Sequence, residues 1–413
     1  MSRFFFVHLV KATAAIPAAP ILALLAVITG RSRRALRSRG VDPRVVWGPE
    51  PIISIRNWSM GVRIYGLRST TVVDGVYSIN EREDFDLLRA ETGPPGWWFE
   101  PWRDMLLFSR VLRDFDVIVT FLDGGFLRWT ALRRIEPWLL RRAGIVTIVT
   151  HYGSDNAVIG YLDVHELNDA MEIDYPDTVK AADAIRRRVD RIVAGASVVV
   201  RNLNTGYLPR WDVIWPAQYA VDVREFSRAA PSASDGQSGP VTVVHAPNHR
   251  AIKGTAHLVA AIETLRAEGL DVRLEIIEGE PNAEVRRALT RADILVDQLL
   301  IGYGLFAVEG MATGLPVISR MGWMPEPVAS HPSMLESPIV DADQSTISDR
   351  LRELVTDPER RLRLGIEGLS YVRRWHSEEA TGKVWDAIIR ATWNERPVPT
   401  SAFPFSSGVE VAS

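Results

Sequence analysis

Residues 294–316 read ILVDQLLIGYGLFAVEGMATGLP: an apolar run, two close glycines, a helix-compatible stretch, then Gly314 and Pro316. A β-branched run followed by glycines and a helical pattern is a strand, a tight turn and a helix, the repeating unit of a doubly wound α/β sheet. Gly302 and Gly304 suit positive φ and let the backbone on either side of Tyr303 approach a ligand. The helix that starts near Leu305 offers unpaired N–H groups and the positive end of its dipole to a phosphate. Glu309 falls about one turn into that helix, where a carboxylate accepts hydrogen bonds from two adjacent ribose hydroxyls. The plain alternative is a tight turn with Glu309 as a solvated helix residue. Gly302-Tyr303-Gly304-x-x-Ala307 also fits the loose dinucleotide pattern. That pattern opens the first β-α unit of its domain, whereas this turn follows two earlier strand units.

Working outward, HAPNHRAIKG (residues 245–254) follows the apolar run 241–245 and sets Asn248, Arg250, Lys253 and Gly254 at the carboxyl edge of the same sheet, where open α/β folds bind ligands. Lys253 as a mere turn cap is the plain alternative. Further strands are predicted at 273–277, 293–297 and 316–319. In the first half the apolar runs 51–55, 71–73, 116–121, 146–150 and 191–200 alternate with helix-like stretches such as 101–112 and 178–189. Two doubly wound, Rossmann-like α/β domains facing a cleft account for both halves. RAAPSASDGQSGP (228–240) is small, polar and rich in Pro and Gly, and reads as a linker. The expected organisation is a hydrophobic and basic segment 1–40, a first domain 41–227, the linker 228–240, a second domain 241–396 and a disordered tail 397–413.

At 413 residues the chain has room for two cores. Its 48 Lys and Arg against 51 Asp and Glu carry no basic excess for a nucleic acid. There is no cysteine, and the eight histidines fall in no zinc-hydrolase spacing. Residues 12–29, ATAAIPAAPILALLAVIT, are uncharged, and Arg31, Arg33, Arg34, Arg37 and Arg39 follow Gly30. The run is close to the minimum for a membrane-spanning helix, and the arginines would hold the body on the cytoplasmic side. Pro17 and Pro20 suit an interfacial helix as well, and a docked helix of a soluble protein is the third possibility. A cleaved signal fits poorly, since the basic cluster follows the apolar run.

On these residues the C-terminal half, about 241–390, resembles the nucleotide-sugar glycosyltransferases of the GT-B fold, in the large retaining family numbered four. The resemblance implies that Lys253-Gly254 contacts the donor diphosphate, with Arg250 adding charge, and that Glu309 is the second glutamate of the family's Glu-x7-Glu motif. Gly304, Gly310, Ala312, Gly314 and Pro316 follow the family's spacing. Ile301 stands where the family has its first glutamate, and Asn248 where it usually has an arginine; Asp297-Gln298 are polar substitutes just before the turn. The first half is similar to the family's acceptor domain. His151-Tyr-Gly153-Ser-Asp155 resembles its histidine-glycine-aspartate loop, which implies that His151 hydrogen-bonds the reacting sugar or leaving group while Gly153 and Asp155 lie on the acceptor side. A loop histidine satisfied by nearby backbone is the alternative. Trp215-Pro216 through Val221-Asp222 and Phe226 resemble the segment closing the first domain, and the terminal helix of this fold crosses back onto that domain.

The expected activity is hexosyl transfer from a nucleotide-diphosphate sugar to a sugar or lipid-linked glycan, in cell-envelope or polysaccharide synthesis at the cytoplasmic face of a membrane. The nucleotide sugar is a substrate, and the motifs call for no cofactor or metal. A sugar-nucleotide epimerase, and a membrane-tethered binder or scaffold, are the rival readings. The patch Gly96-Trp97-Trp98-Phe99-Glu100-Pro101-Trp102 is read as core packing, with lipid or sugar stacking as the alternative. Arg186-Arg187-Arg188 is read as a solvated helix face.

Overall fold

The computed structural model describes residues 15–96, 99–161, 164–203, 206–226 and 232–401. Seven strands, β1 (Arg44–Trp47), β2 (Arg68–Val73), β3 (Leu87–Leu88), β4 (Val117–Thr120), β5 (Val146–Val149), β6 (Val198–Arg201) and β7 (Val213–Ile214), form one parallel sheet in the order β3-β2-β1-β4-β5-β6-β7. Five more, β8 (Val241–His245), β9 (Val272–Ile276), β10 (Ile294–Val296), β11 (Val317–Ser319) and β12 (Val340–Asp341), form a second parallel sheet ordered β12-β11-β10-β8-β9. Their central strands are continuously apolar because helices cover both faces. Strand order reverses between β1 and β4 in the first sheet and between β8 and β10 in the second. At such reversals the flanking loops part and leave a crevice at the carboxyl ends of the strands.

Two expected strands differ. Residues 51–55 form no strand, since a helix Ile53–Ile64 begins there; Ile55, Trp58 and Val62, at three- and four-residue spacing, are its buried face. The true first strand is the four-residue β1, directly before Gly48-Pro49. The run 191–200 is divided between the end of the helix Ala182–Gly195 and β6.

The terminal helix Glu378–Trp393 packs on Ile53–Ile64 at a glycine pair. A Cβ on Gly382 would lie 2.4 Å from the carbonyl carbon of Gly61, so only two facing glycines permit the approach. Trp385 then enters the first domain's core, 5.0 Å from Trp58 and 5.4 Å from Trp47 between ring centroids. The segment after Trp215 joins the same helices, with Val221 N–H donating to the His376 carbonyl at 2.9 Å and Glu378 N–H to the Val221 carbonyl at 3.2 Å.

Within the expected linker, residues 228–231 lie outside the described residues; the remainder is fastened to the second domain, where Asp271 N–H donates to the Gly236 carbonyl at 2.7 Å and Arg361 donates to the Ser232 carbonyl at 3.2 Å. Of the expected disordered tail, 402–413 lie outside the described residues, whereas Thr400 extends the first sheet by accepting from Ile214 N–H at 2.8 Å.

The apolar N-terminal segment from Ala19 to Ser38 is one helix, and Gly30 does not end it. Leu22, Ala26, Gly30 and Arg33 are its buried stripe. A Cβ on Gly30 would stand 2.3 Å from the Arg142 carbonyl oxygen. Arg33, only 2% exposed, is ion-paired with Asp116 at 3.1 Å and donates to the Ala143 carbonyl at 2.9 Å. Burial drags its guanidinium down to about 10. By length and composition Ile16–Ser38 is apolar enough to cross a membrane. Its buried stripe is nevertheless anchored in the first domain, while Ile21, Leu24 and Ile28 are exposed.

Candidate active site

The β8/β10 reversal brings two loops together. After β8 the chain makes a single helical turn, Arg250–Lys253, and leaves it at Gly254 with φ 74°, where an L side chain is strained and a Cβ would meet Leu299 Cβ at 2.9 Å. The Lys253 carbonyl accepts from Leu299 N–H at 3.2 Å, tying this loop to the one after β10. That second loop carries Asp297, whose side chain has no solvent exposure. One oxygen of Asp297 accepts from Lys253 Nζ at 2.5 Å and the other from Gly304 N–H at 2.5 Å. An ammonium and the amide that opens the helix Leu305–Thr313 therefore converge on one anionic group. Gly302 has φ 22°, but Gly304 has φ −110° and is not in the left-handed region that the sequence predicts.

Glu309 is buried on that helix. Among the described residues nothing donates a hydrogen bond to its carboxylate. Burial, with Asp297 and Glu225 adding to it against the pull of Arg286, pushes Glu309 up to about 7. Arg286, on the helix Asn282–Leu289, pairs with Glu225 of the first half at 2.8 Å.

Other expected donor contacts are placed differently. Tyr303 is fully buried, its hydroxyl 3.4 Å from that of Tyr371 and 3.3 Å from His376 Nε2, so its side chain secures the C-terminal helices and cannot line the crevice. Arg250 is 61% exposed and makes a two-pronged contact with Glu278 at 2.5 and 2.7 Å. Asn248 is exposed, and Leu305 and Ile301 are half-buried.

In the first domain His151 follows β5 and is buried. Its Nε2 accepts from Asn202 N–H at 3.3 Å, which assigns the ring proton to Nδ1, and Nδ1 has no partner among the described residues. Burial, then the Arg201 charge, pulls His151 down to about 3, so the ring is neutral and retains one unused donor. Gly153 turns the loop at φ 137°. Asp155 is also buried, and its carboxylate accepts from the amides of Tyr152 and Gly153, both at 3.0 Å, and of Leu122 at 3.1 Å. Its acid group thus holds its own loop against the segment that follows β4. Trp97 and Trp98 of the aromatic patch lie outside the described residues; Trp102 is 42% exposed.

No family model and no curated protein matches the sequence. Among solved structures the chain is similar to a sucrose-phosphate synthase from Thermosynechococcus elongatus (TM-score 0.50, 16% identity, covering 83% of this chain and 96% of that one). It is also similar to a glycosyltransferase from Rickettsia africae (TM-score 0.54, 10% identity, covering 85% and 98%). At such identities the likeness is one of fold, and that fold is the two-sheet α/β arrangement named GT-B.

Proposed function

We propose that this chain is a glycosyltransferase that moves a hexose-type sugar from a nucleotide-diphosphate donor to a sugar or lipid-linked glycan, with retention at the anomeric carbon, in cell-envelope or polysaccharide synthesis. The observation that carries this reading is the convergence of Lys253 and the Gly304 amide on one anion position, on the helix that bears Glu309. Asp297 holds the two donors in register until a diphosphate oxygen replaces one of its own. As the bond from the anomeric carbon to the diphosphate breaks, negative charge grows on the leaving group, and the ammonium, the amide and the helix N-terminus stabilise it more than they stabilise the intact donor. Glu309, with its acceptor capacity unused, receives the ribose hydroxyls. The neutral His151 offers Nδ1–H to the sugar. The exposed Ile21, Leu24 and Ile28 support an N-terminal helix lying in the cytoplasmic interface of a membrane, its buried stripe still docked on the domain.

Lys253→Ala tests the reading. Donor turnover should fall by about 10²–10³-fold, the loss expected for one donor on a developing negative charge, measured on variant protein shown to be folded at the assay temperature because the buried Asp297 loses its partner. Unchanged turnover would remove the assignment. Half-buried Ile301 in place of a polar group favours the non-catalytic binder as second reading. A panel of nucleotide sugars separates the possibilities: nucleotide release only with acceptor supports transfer, turnover without acceptor supports epimerisation, and thermal stabilisation without turnover supports the binder.

A further inference from the structure

The first sheet has its own reversal, between β1 and β4, and beside it lies a cavity of about 1040 Å³. It runs from the carboxyl ends of β1, β4 and β5 down between the helices Glu136–Arg142 and Ala182–Gly195. Its acids are all engaged. Glu50 pairs with Arg128 at 2.5 Å, Asp123 with Arg188 at 3.2 Å, and the buried Glu136 accepts from the amides of Phe126 and Leu127 at 2.8 and 3.0 Å. Of its six arginines, Arg128 and Arg188 are the ones paired with these acids. Arg133, Arg134, Arg187 and Arg191 line the same cavity, and among the described residues none of them is paired with a carboxylate. Arg133, Arg134 and Arg188 lie close enough to Arg191 to oppose it: after burial, their charges lower its guanidinium from the ordinary value.

Guanidiniums gathered around one space without carboxylate partners among the described residues are suited to a multiply charged anion. Planar guanidinium forks match phosphate oxygens two at a time. The cavity is many times larger than a phosphate, and Trp129, Leu140 and Ile192 add apolar surface to its lining, so the anion is one end of a larger molecule. Tyr152, which lines it and donates its hydroxyl to Asp123, directly follows His151, the residue assigned to the reacting sugar. We propose that this cavity binds a phosphate-bearing acceptor, a phosphomonoester or diphosphate, through Arg133, Arg134, Arg187 and Arg191. The assignment rests on the glycosyltransferase reading and supplies the chemistry of its second substrate. The phosphate is carried either by a soluble molecule or by a lipid. The lipid source has a structural route, because Glu136–Arg142 has the cavity on one flank and meets the apolar helix Ala19–Ser38 at Arg142 on the other.

The test is made without donor, on the full chain carrying Lys253→Ala so that the crevice of the second domain does not contribute. Inorganic pyrophosphate is titrated calorimetrically, and flotation is measured with phosphatidylcholine vesicles with and without phosphatidic acid. Arg133→Ser/Arg134→Ser/Arg191→Ser, all at exposed or half-buried positions that tolerate exchange, should weaken pyrophosphate binding or phosphatidic-acid-dependent flotation by about tenfold or more, and the corresponding lysine triple should restore part of it. Loss in the pyrophosphate arm alone identifies a soluble phosphate, and loss in the vesicle arm a lipid-borne one. Equal behaviour of the serine triple and its parent in both arms overturns the proposal. In a Lys253-intact background the serine triple should bind a nucleoside diphosphate as its parent does, and absence of nucleotide binding in both would instead count against the donor site.

Discussion

Glu309 connects the chemistry of the crevice to pH. Its folded carboxyl titrates at about 7 against 4.5 in the unfolded chain, so between those values the native state holds a proton that the unfolded state has released. Stability from this group is therefore complete below pH 4.5 and is lost as pH rises to 7, about 3 kcal/mol in all by the unit-to-energy conversion. Glu309→Gln should gain stability relative to the parent over that window, as read by denaturation at stepped pH; a constant difference would contradict the burial argument. On the proposed reading the charged form would accept the ribose hydroxyls, so nucleotide affinity of the parent should rise through pH 7 while that of the variant stays flat. Much of this site is local in the chain and was legible: Lys253 beside Gly254, and the two glycines a turn before Glu309. Asp297 was legible only as a polar residue in the right place, because its grip on both Lys253 and Gly304 depends on β8 and β10 being neighbours. The partners of the Tyr303 hydroxyl, Tyr371 and His376, lie far along the chain and leave no signature in local sequence.

At the scale of elements, the contact of Glu378–Trp393 with Ile53–Ile64 fixes one domain against the other. Gly382→Ala places a Cβ 2.4 Å from backbone of the facing helix, and backbone cannot give way as a flexible side chain can. The helices must part and loosen Trp385 from Trp47 and Trp58, at a cost of about 1–3 kcal/mol for an overpacked contact. Chemical denaturation checks this, and a change of only a few tenths would show that the helices do not meet there. The terminal helix was legible through its spaced Trp385 and Ile388. The helix Ile53–Ile64 was not, since its first residues after Pro51 read as a short β-branched run until Trp58 and Val62 extend the three-four spacing. The arginines on Ala182–Gly195 illustrate the same limit. Read along the chain they are a solvated face, and only the packing of that helix beside Glu136–Arg142 sets Arg187 and Arg191 opposite Arg133 and Arg134 in one cavity.

At the scale of the molecule, two parallel sheets each present a reversal at their carboxyl ends, and each reversal gathers positive charge. In the second domain the charge is one ammonium and the opening of a helix, suited to a diphosphate. In the first it is a group of guanidiniums beside the His151 loop. The apolar helix Ala19–Ser38 is joined to the first domain by Arg33, so a membrane that receives Ile21, Leu24 and Ile28 holds that domain at its surface. The claim on which this arrangement depends is that the Lys253–Gly304 position takes a diphosphate. It is tested most directly by calorimetric titration of a nucleoside diphosphate and of the matching nucleoside, into the parent chain and into Lys253→Ala. The parent is expected to bind the diphosphate more tightly than the nucleoside by about 100-fold, some 2.7 kcal/mol, and this preference should collapse in the variant while nucleoside affinity is kept. Equal affinity of the parent for the two ligands, or an undiminished preference in Lys253→Ala, would contradict it.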